Sequence, residues 1–402
     1  MQISDNGHLT YCTNIHPGET WPAVFGSLIH ALQVKEQLGW SEPFGIGLRL
    51  SAKASRQLNE GPALAAFQDW LKEKNCYVFT MNGFPYGQFH GKMVKDKVHA
   101  PDWTTRERVD YTIELFDLLA TLLPAHLKEG GVSTSPLSYR WWHKTEAEKQ
   151  EVRNTGARHL AEVTAHLVQL KAQTGKSLHL DIEPEPDGLL ENSTEFLDFY
   201  DLDLLTTGVE ALRQKLGCTA AEAADHLREH IQLCYDVCHF AVEYEDEPET
   251  VLRKLEKRGI RTGKIQISAA LQTDLDQNSK ATQEALAPYN ESTYLHQTVC
   301  RRIDGQLVKY PDLGPALEAL PDESFTELRT HFHVPIFTDT YGKLRSTNRH
   351  IEAVLAHWRK APFSPHLEVE TYTWDVLPDT NQLGLTESIA RELQWVRKQL
   401  EL

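Results

Sequence analysis

The stretch IQLCYDVCHFAVEYEDEPETVLRKLEKRGIRTGKIQIS (231–268) decides the fold. IQLCYDVCHF (231–240) reads as a buried strand. EPETVLRKLEKRG (247–259) reads as an amphipathic helix with apolar positions three and four apart, and TGKIQIS (262–268) reads as a second strand directly after it. A strand, a helix and a strand without a hairpin turn mean parallel strands joined by a right-handed crossover.

Working outward, the same unit recurs. HLTYCTNI (8–15), FGIGLRLS (44–51), CYVFTMN (76–82), GVSTSPL (131–137) and SLHLDIEPEP (177–186) precede the strand at 231, each followed by helical periodicity. SPHLEVETYTW (364–374) and TESIARELQWVRKQL (386–400) supply the eighth unit. No Gly-rich dinucleotide fingerprint follows an early strand, so the closed (β/α)8 TIM barrel is preferred over an open doubly wound α/β sheet. ELRTHFHVPIF (327–337) is a ninth strand candidate, and Asp304-Gly305 within 293–313 signals a hairpin. Residues 270–345 are therefore expected to be an insertion after strand seven that covers the barrel mouth, within one domain spanning 1–402.

The composition excludes several classes. The chain has 402 residues, 41 Lys+Arg against 57 Asp+Glu and a net charge of −16, which argues against a nucleic-acid partner. No apolar run is long enough to span a membrane. The start, MQISDNGHLT, does not read as a secretory signal. Six cysteines are too few for a disulfide scaffold, and a cytoplasmic location is expected.

Polar residues at the C-terminal strand ends of such a barrel face one mouth. Strand five ends at Glu183. Strand six ends at Asp236, with His239 three residues on, where the strand is expected to give way to loop. Gln266 stands at the same level of strand seven, and Glu368, Glu370 and Tyr372 share one face of strand eight. His331 and His333 share a face if their segment is extended. Singly, a strand-end acid caps a helix or bonds a backbone amide. Jointly, carboxylates and imidazoles from several strands suit a divalent ion, Mn, Mg, Zn or Fe(II). Glu183, Glu368 or His239 is then expected to move a proton.

Other residues are expected to meet a small, sugar-like metabolite. His16 follows strand one, before a helix that Thr20 caps. Arg49 ends strand two and either binds an anion or neutralises the acidic mouth. The loop NGFPYGQFHG (82–91) offers Asn82, Phe84, Tyr86 and His90, its aromatics either stacking on substrate or packing under the insertion. Cys234 and Cys238 read as core thiols.

The EP at the end of strand five, D-x-x-H-F on strand six and E-T near the end of strand eight resemble the xylose isomerase-like barrel superfamily. It contains sugar isomerases, epimerases and metal-dependent apurinic endonucleases. The resemblance implies metal ligation by Glu183, Asp236, Gln266 and Glu370. It also implies substrate or metal contact by His239, and a ligand pair at His331 and His333. Gln266 departs from the usual His or Asp, and His333 is the alternative nitrogen donor. HLTYCTNIHPGETW (8–21), NGFPYGQFHG (82–91), PDW (101–103), STSPLSY (133–139), KIQISAAL (264–271) and THFHVPIF (330–337) resemble the EboE family of metabolite traffic proteins. That likeness implies a role in moving secondary-metabolite precursors beside other products of the same operon. Three functions follow: a sugar isomerase- or epimerase-like enzyme, a non-catalytic metabolite carrier, or a phosphodiesterase of the apurinic endonuclease type, which the acidity disfavours.

Overall fold

A computed structural model describes residues 1–4, 7–89, 94–275, 279–374, 376–377 and 384–402. Among the described residues, eight parallel strands follow in order: β1 (Gly7–Tyr11), β2 (Phe44–Arg49), β3 (Cys76–Asn82), β4 (Glu129–Thr134), β5 (Ser177–Ile182), β6 (Ile231–Asp236), β7 (Thr262–Ile267) and β8 (His366–Val369). They hydrogen-bond in the order β1-β8-β7-β6-β5-β4-β3-β2, and a short antiparallel strand, Gln2–Ser4, flanks β1. A parallel bridge from Cys12 to Gly47 joins the two ends, so the nine-stranded sheet is nearly closed.

Alternation assigns the two faces of each strand. On β7, Ile265 and Ile267 pack outward in the main apolar core, while Lys264 and Gln266 point inward and are fully buried. The interior is polar: Lys264 donates to Glu368 Oε2 at 2.8 Å and also reaches the Met81 carbonyl and Ser133 Oγ across the barrel. Room for these groups comes from missing side chains. A Cβ on Gly47 would sit 1.9 Å from Glu368 Oε1, and one on Gly263 would sit 1.9 Å from Asp181 Oδ1. Burying the ammonium opposes its charge, but the Glu368 carboxylate outweighs this and holds Lys264 protonated.

Helices start where local chemistry specifies. Thr20 accepts from the Ala23 N–H. Thr145 with Glu148 forms a capping box on Glu146–Thr174, and Gly175 ends that helix at φ 69.

Between β7 and β8 the chain builds a second, antiparallel sheet ordered Leu307–Tyr310, Thr298–Arg302, Phe325–Thr330, Leu271–Asp274, Leu344–Ser346 and Thr340–Tyr341. The hairpin at Asp304-Gly305 is present, with Arg301 opposite Leu307 and Gly305 at φ 87. The ninth strand candidate belongs to this sheet, not to the barrel, and ends at Thr330. His331 and His333 thus follow a strand instead of lying on one.

Two boundaries differ from the sequence reading. Residues 237–240 are not loop: Asp236 caps a buried helix, Val237–Val242, that carries His239 in its first turn. β8 stops at Val369, so Glu370 and Tyr372 lie past its end. The backbone there is held differently, as the Glu370 N–H donates to the Ile267 carbonyl and Thr371 Oγ1 donates to Glu392. Among the described residues no helix is long and apolar enough to cross a membrane.

Candidate metal centre

Glu183, Asp236 and Glu370 leave the ends of β5, β6 and β8 toward one point. One oxygen from each lies within 4.8 Å of the others, and all three residues are buried. Asp236 Oδ1 accepts from the His239 N–H at 3.0 Å and Ser268 Oγ at 2.8 Å. Glu370 Oε1 accepts from the amides of Asn14 at 2.5 Å and Asn82 at 3.1 Å. Asp236 Oδ2 and Glu183 Oε2 receive no hydrogen bond. Burial raises the Glu183 and Glu370 carboxyls well above the ordinary range, and the neighbouring carboxylates add to this. Protons or a shared cation must therefore offset the charge.

Beside the carboxylates, three rings converge. Nδ1–H of His239 donates to the Pro184 carbonyl at 2.9 Å, that of His331 to Gln297 Oε1 at 2.9 Å and that of His333 to the Glu370 carbonyl at 2.6 Å. These partners assign the tautomers and leave a lone pair on every Nε2. His331 Nε2 is 3.2 Å from both His239 Nε2 and His333 Nε2. Burial keeps His331 and His333 uncharged, lowering the latter to about 4. Three lone pairs at this spacing repel one another unless a cation lies among them, and an imidazole anchored through its other nitrogen is the usual metal-ligand arrangement. The donor groups fit a divalent metal: Glu183, Asp236 and Glu370 offer one oxygen each within 4.8 Å of one another, and Asp236, His239 and His333 make an adjoining mixed set, with Asp236 Oδ2 3.8 Å from His239 Nε2.

Above the centre is a cavity of about 60 Å³, room for a few waters. Its floor is Glu183, Glu185, Glu370, His239 and His331, and its walls include Asn82, Phe84, Phe89, Tyr294 and Tyr372. Phe89, Tyr294 and Tyr372 pack on one another with ring centroids 5.1 to 5.4 Å apart.

Of the residues expected to bind substrate, Asn82 and Phe84 line the cavity. His16, Arg49 and Tyr86 do not. His16 bonds Tyr11 and stacks on His30. Arg49 is held by the backbone: its Nη1 and Nη2 donate to the carbonyls of Gly18, Pro85 and Gly87, which keeps the guanidinium away from the cavity lining. Tyr86 accepts from Arg56 and packs on Tyr111. His90 lies outside the described residues.

Two further expectations change. Glu368 does not reach the cavity; it is the fully buried partner of Lys264. Gln266 also turns toward Glu368, donating to Oε2 at 3.0 Å with its amide oriented to satisfy both groups. Ser268, directly after β7, bonds Asp236 instead.

The sequence reading missed Glu185, on the cavity floor with Oε2 3.6 Å from His99 Nε2 and raised by burial to about 8. It also missed Asn14 as a Glu370 partner, and Cys238, whose sulfur lies within 4.8 Å of nitrogens of His331 and His333. The EPEP run (183–186) signalled Glu185, because residues two apart share a face.

No protein-family model matches the chain, and no curated protein does. Solved structures do. A xylose isomerase-like TIM barrel protein from Mycobacterium smegmatis in complex with magnesium shares 11% identity, with 98% of this chain and 96% of that chain covered at a TM-score of 0.51. A D-allulose 3-epimerase from Methylomonas sp. shares 10%, with 99% and 100% covered at 0.49. An IolI protein with a bound zinc atom shares 12%, with 98% and 97% covered at 0.47. At these identities the first of them shows a shared barrel fold, and nothing finer.

Proposed function

We propose that this protein is a metal-dependent barrel acting on a small polyhydroxylated or carbonyl metabolite, with chemistry of the sugar isomerase or epimerase type. The observation that carries this reading is the meeting of Glu183, Asp236 and Glu370 with two buried oxygens left unpartnered. These three would hold one divalent ion, and Asp236, His239 and His333, with His331 Nε2 3.2 Å from both imidazoles, would hold another. The metal, when bound, would supply Lewis acidity toward the substrate's oxygens.

The chain's own residues do the rest. Asn14 and Asn82 hold Glu370 in place by bonding one oxygen, which leaves the other to face the centre. Glu185, on the cavity floor with an unpartnered oxygen, exchanges a proton with the substrate carbon, a role in which it replaces Glu368. Phe89, Tyr294 and Tyr372 wall the cavity and limit the access of water to its floor.

Residues 270–345 act as an insertion over the mouth of a single domain. In support, this segment supplies His331 and His333 to the barrel residues and Tyr294 to the cavity wall. The likeness to EboE proteins extends the proposal to precursor traffic beside operon partners, and the buried thiols suit a reducing cytoplasm. A carrier without turnover is the second reading, favoured by the smallness of the cavity.

The test is to incubate metal-loaded protein in D2O with a panel of aldoses, ketoses and sugar phosphates. Deuterium entering a carbon-bound position supports the enzyme. A bound sugar without exchange supports the carrier.

A further inference from the structure

A second cluster of ligand-type side chains lies at the opposite end of the barrel. The helix Ala220–His230 ends in HLREH (226–230), which puts the two imidazoles one turn apart on one face, with Glu229 beside them. β6 starts at the next residue, so this group is about 17 Å along the strand from Asp236.

Three observations bear on it. One ligand atom each from His226, Glu229 and His230 lies within 4.8 Å of the others. His230 is fully buried, and its Nδ1–H donates to the Leu178 carbonyl at 2.6 Å. That bond leaves the lone pair on Nε2, which has no hydrogen-bond partner and faces Glu229 Oε2 at 3.8 Å. Glu229 Oε1 is taken by Lys171 and Ser177 Oγ, which turns Oε2 toward the imidazoles.

We propose that His226, Glu229 and His230 form a separate metal site on the last turn of this helix, beside the hydrogen bonds that tie His230 and Glu229 to the start of β5. Two imidazole nitrogens and one carboxylate oxygen suit zinc or another borderline cation, and magnesium, which prefers oxygen, does not fit. Three protein ligands leave a fourth position for water. Burial lowers His230 to about 4, so its ring is a neutral acceptor at pH 7. The Lys171 ammonium opposes the cation, and the partial exposure of His226 gives the ion an entry path. At the N-terminal face of a barrel such a site serves stability and not catalysis.

The experiment is diffraction at the zinc absorption edge from crystals soaked in zinc chloride, with equilibrium dialysis of zinc against the whole chain, His226→Ala and Asp236→Asn. The proposal expects an anomalous peak between His226, Glu229 and His230. It also expects His226→Ala to bind one zinc fewer than the parent, while Asp236→Asn keeps this peak. His226 is partly exposed, so its loss leaves the fold intact; His226→Gln, which keeps the bulk, must show the same deficit. No peak at this place, or an unchanged zinc count in both His226 variants, overturns the proposal. A peak at the barrel mouth alone overturns it too and leaves the mouth centre standing.

Discussion

Asp236 Oδ1 accepts the backbone N–H of His239 at 3.0 Å. One carboxylate therefore caps the helix that carries an imidazole donor, and its second oxygen stays free among the other acids. Position and charge are separable here. Asp236→Asn keeps the cap and removes the charge, whereas Asp236→Ala removes both. The alanine variant should be less stable than the asparagine one by about 1 kcal/mol in chelator, the cost of a lost N-cap. Both should lose most bound metal by elemental analysis. In the parent, metal at 100 times its dissociation constant should add about 2.7 kcal/mol, absent from both variants. Equal metal content in parent and variants would refute the ligand role.

The pair Lys264–Glu368 is fully buried and linked at 2.8 Å. Lys264→Met strands a carboxylate in the barrel and should cost about 3–5 kcal/mol in urea unfolding. Adding Glu368→Gln should recover most of that. A double variant as unstable as the single one would contradict the pairing. Because Glu368 does not reach the cavity, the double variant should retain metal binding.

Glu392 accepts from Thr371 Oγ1 at 2.7 Å and the Ile336 N–H at 3.2 Å, and burial raises its carboxyl to about 8. A raised folded value means that the folded chain holds its proton more tightly than the unfolded chain. Its contribution is therefore complete below the ordinary value of 4.5 and is lost as pH rises through about 8. Glu392→Gln, which stays neutral, should match the parent at pH 4.5 and gain on it steadily up to pH 8. Urea unfolding across that range checks this. A difference independent of pH would contradict it.

Arg49 holds three backbone carbonyls at the first and third loops of the mouth. Arg49→Ala leaves them unpaired and should cost about 1–3 kcal/mol. Any loss of ligand affinity should be the same for an anionic and a neutral sugar. A selective loss for the anion would return Arg49 to substrate binding.

The barrel was legible in the alternation of strand and helix, and so was the level at which Glu183, Asp236 and Glu370 stand, because strand ends and the period of two specify both. What a polar side chain pairs with was not legible. Arg49, Gln266 and Glu368 have the right level and face, yet Arg49 is spent on carbonyls and the others on the pair around Lys264. Those partners come from other strands and loops, which local patterning cannot register. The two-residue spacing of His331 and His333 signalled that they share a face, but they lie after a strand, and their meeting with His239 comes from another element that local spacing cannot register. The cap at Asp236 was readable in principle, since an Asp directly before a buried apolar turn is an N-cap signal.

The most direct measurement of the central claim is electron paramagnetic resonance of Mn2+ added to chelator-treated protein, in the parent and in Glu370→Gln. The account predicts that the parent removes the free Mn2+ signal stoichiometrically. It also predicts that Glu370→Gln, which keeps the Asn14 and Asn82 contacts to its carbonyl oxygen, leaves that signal largely in solution. An undiminished signal with the parent, or equal uptake by both proteins, would contradict a cation shared by Glu183, Asp236 and Glu370.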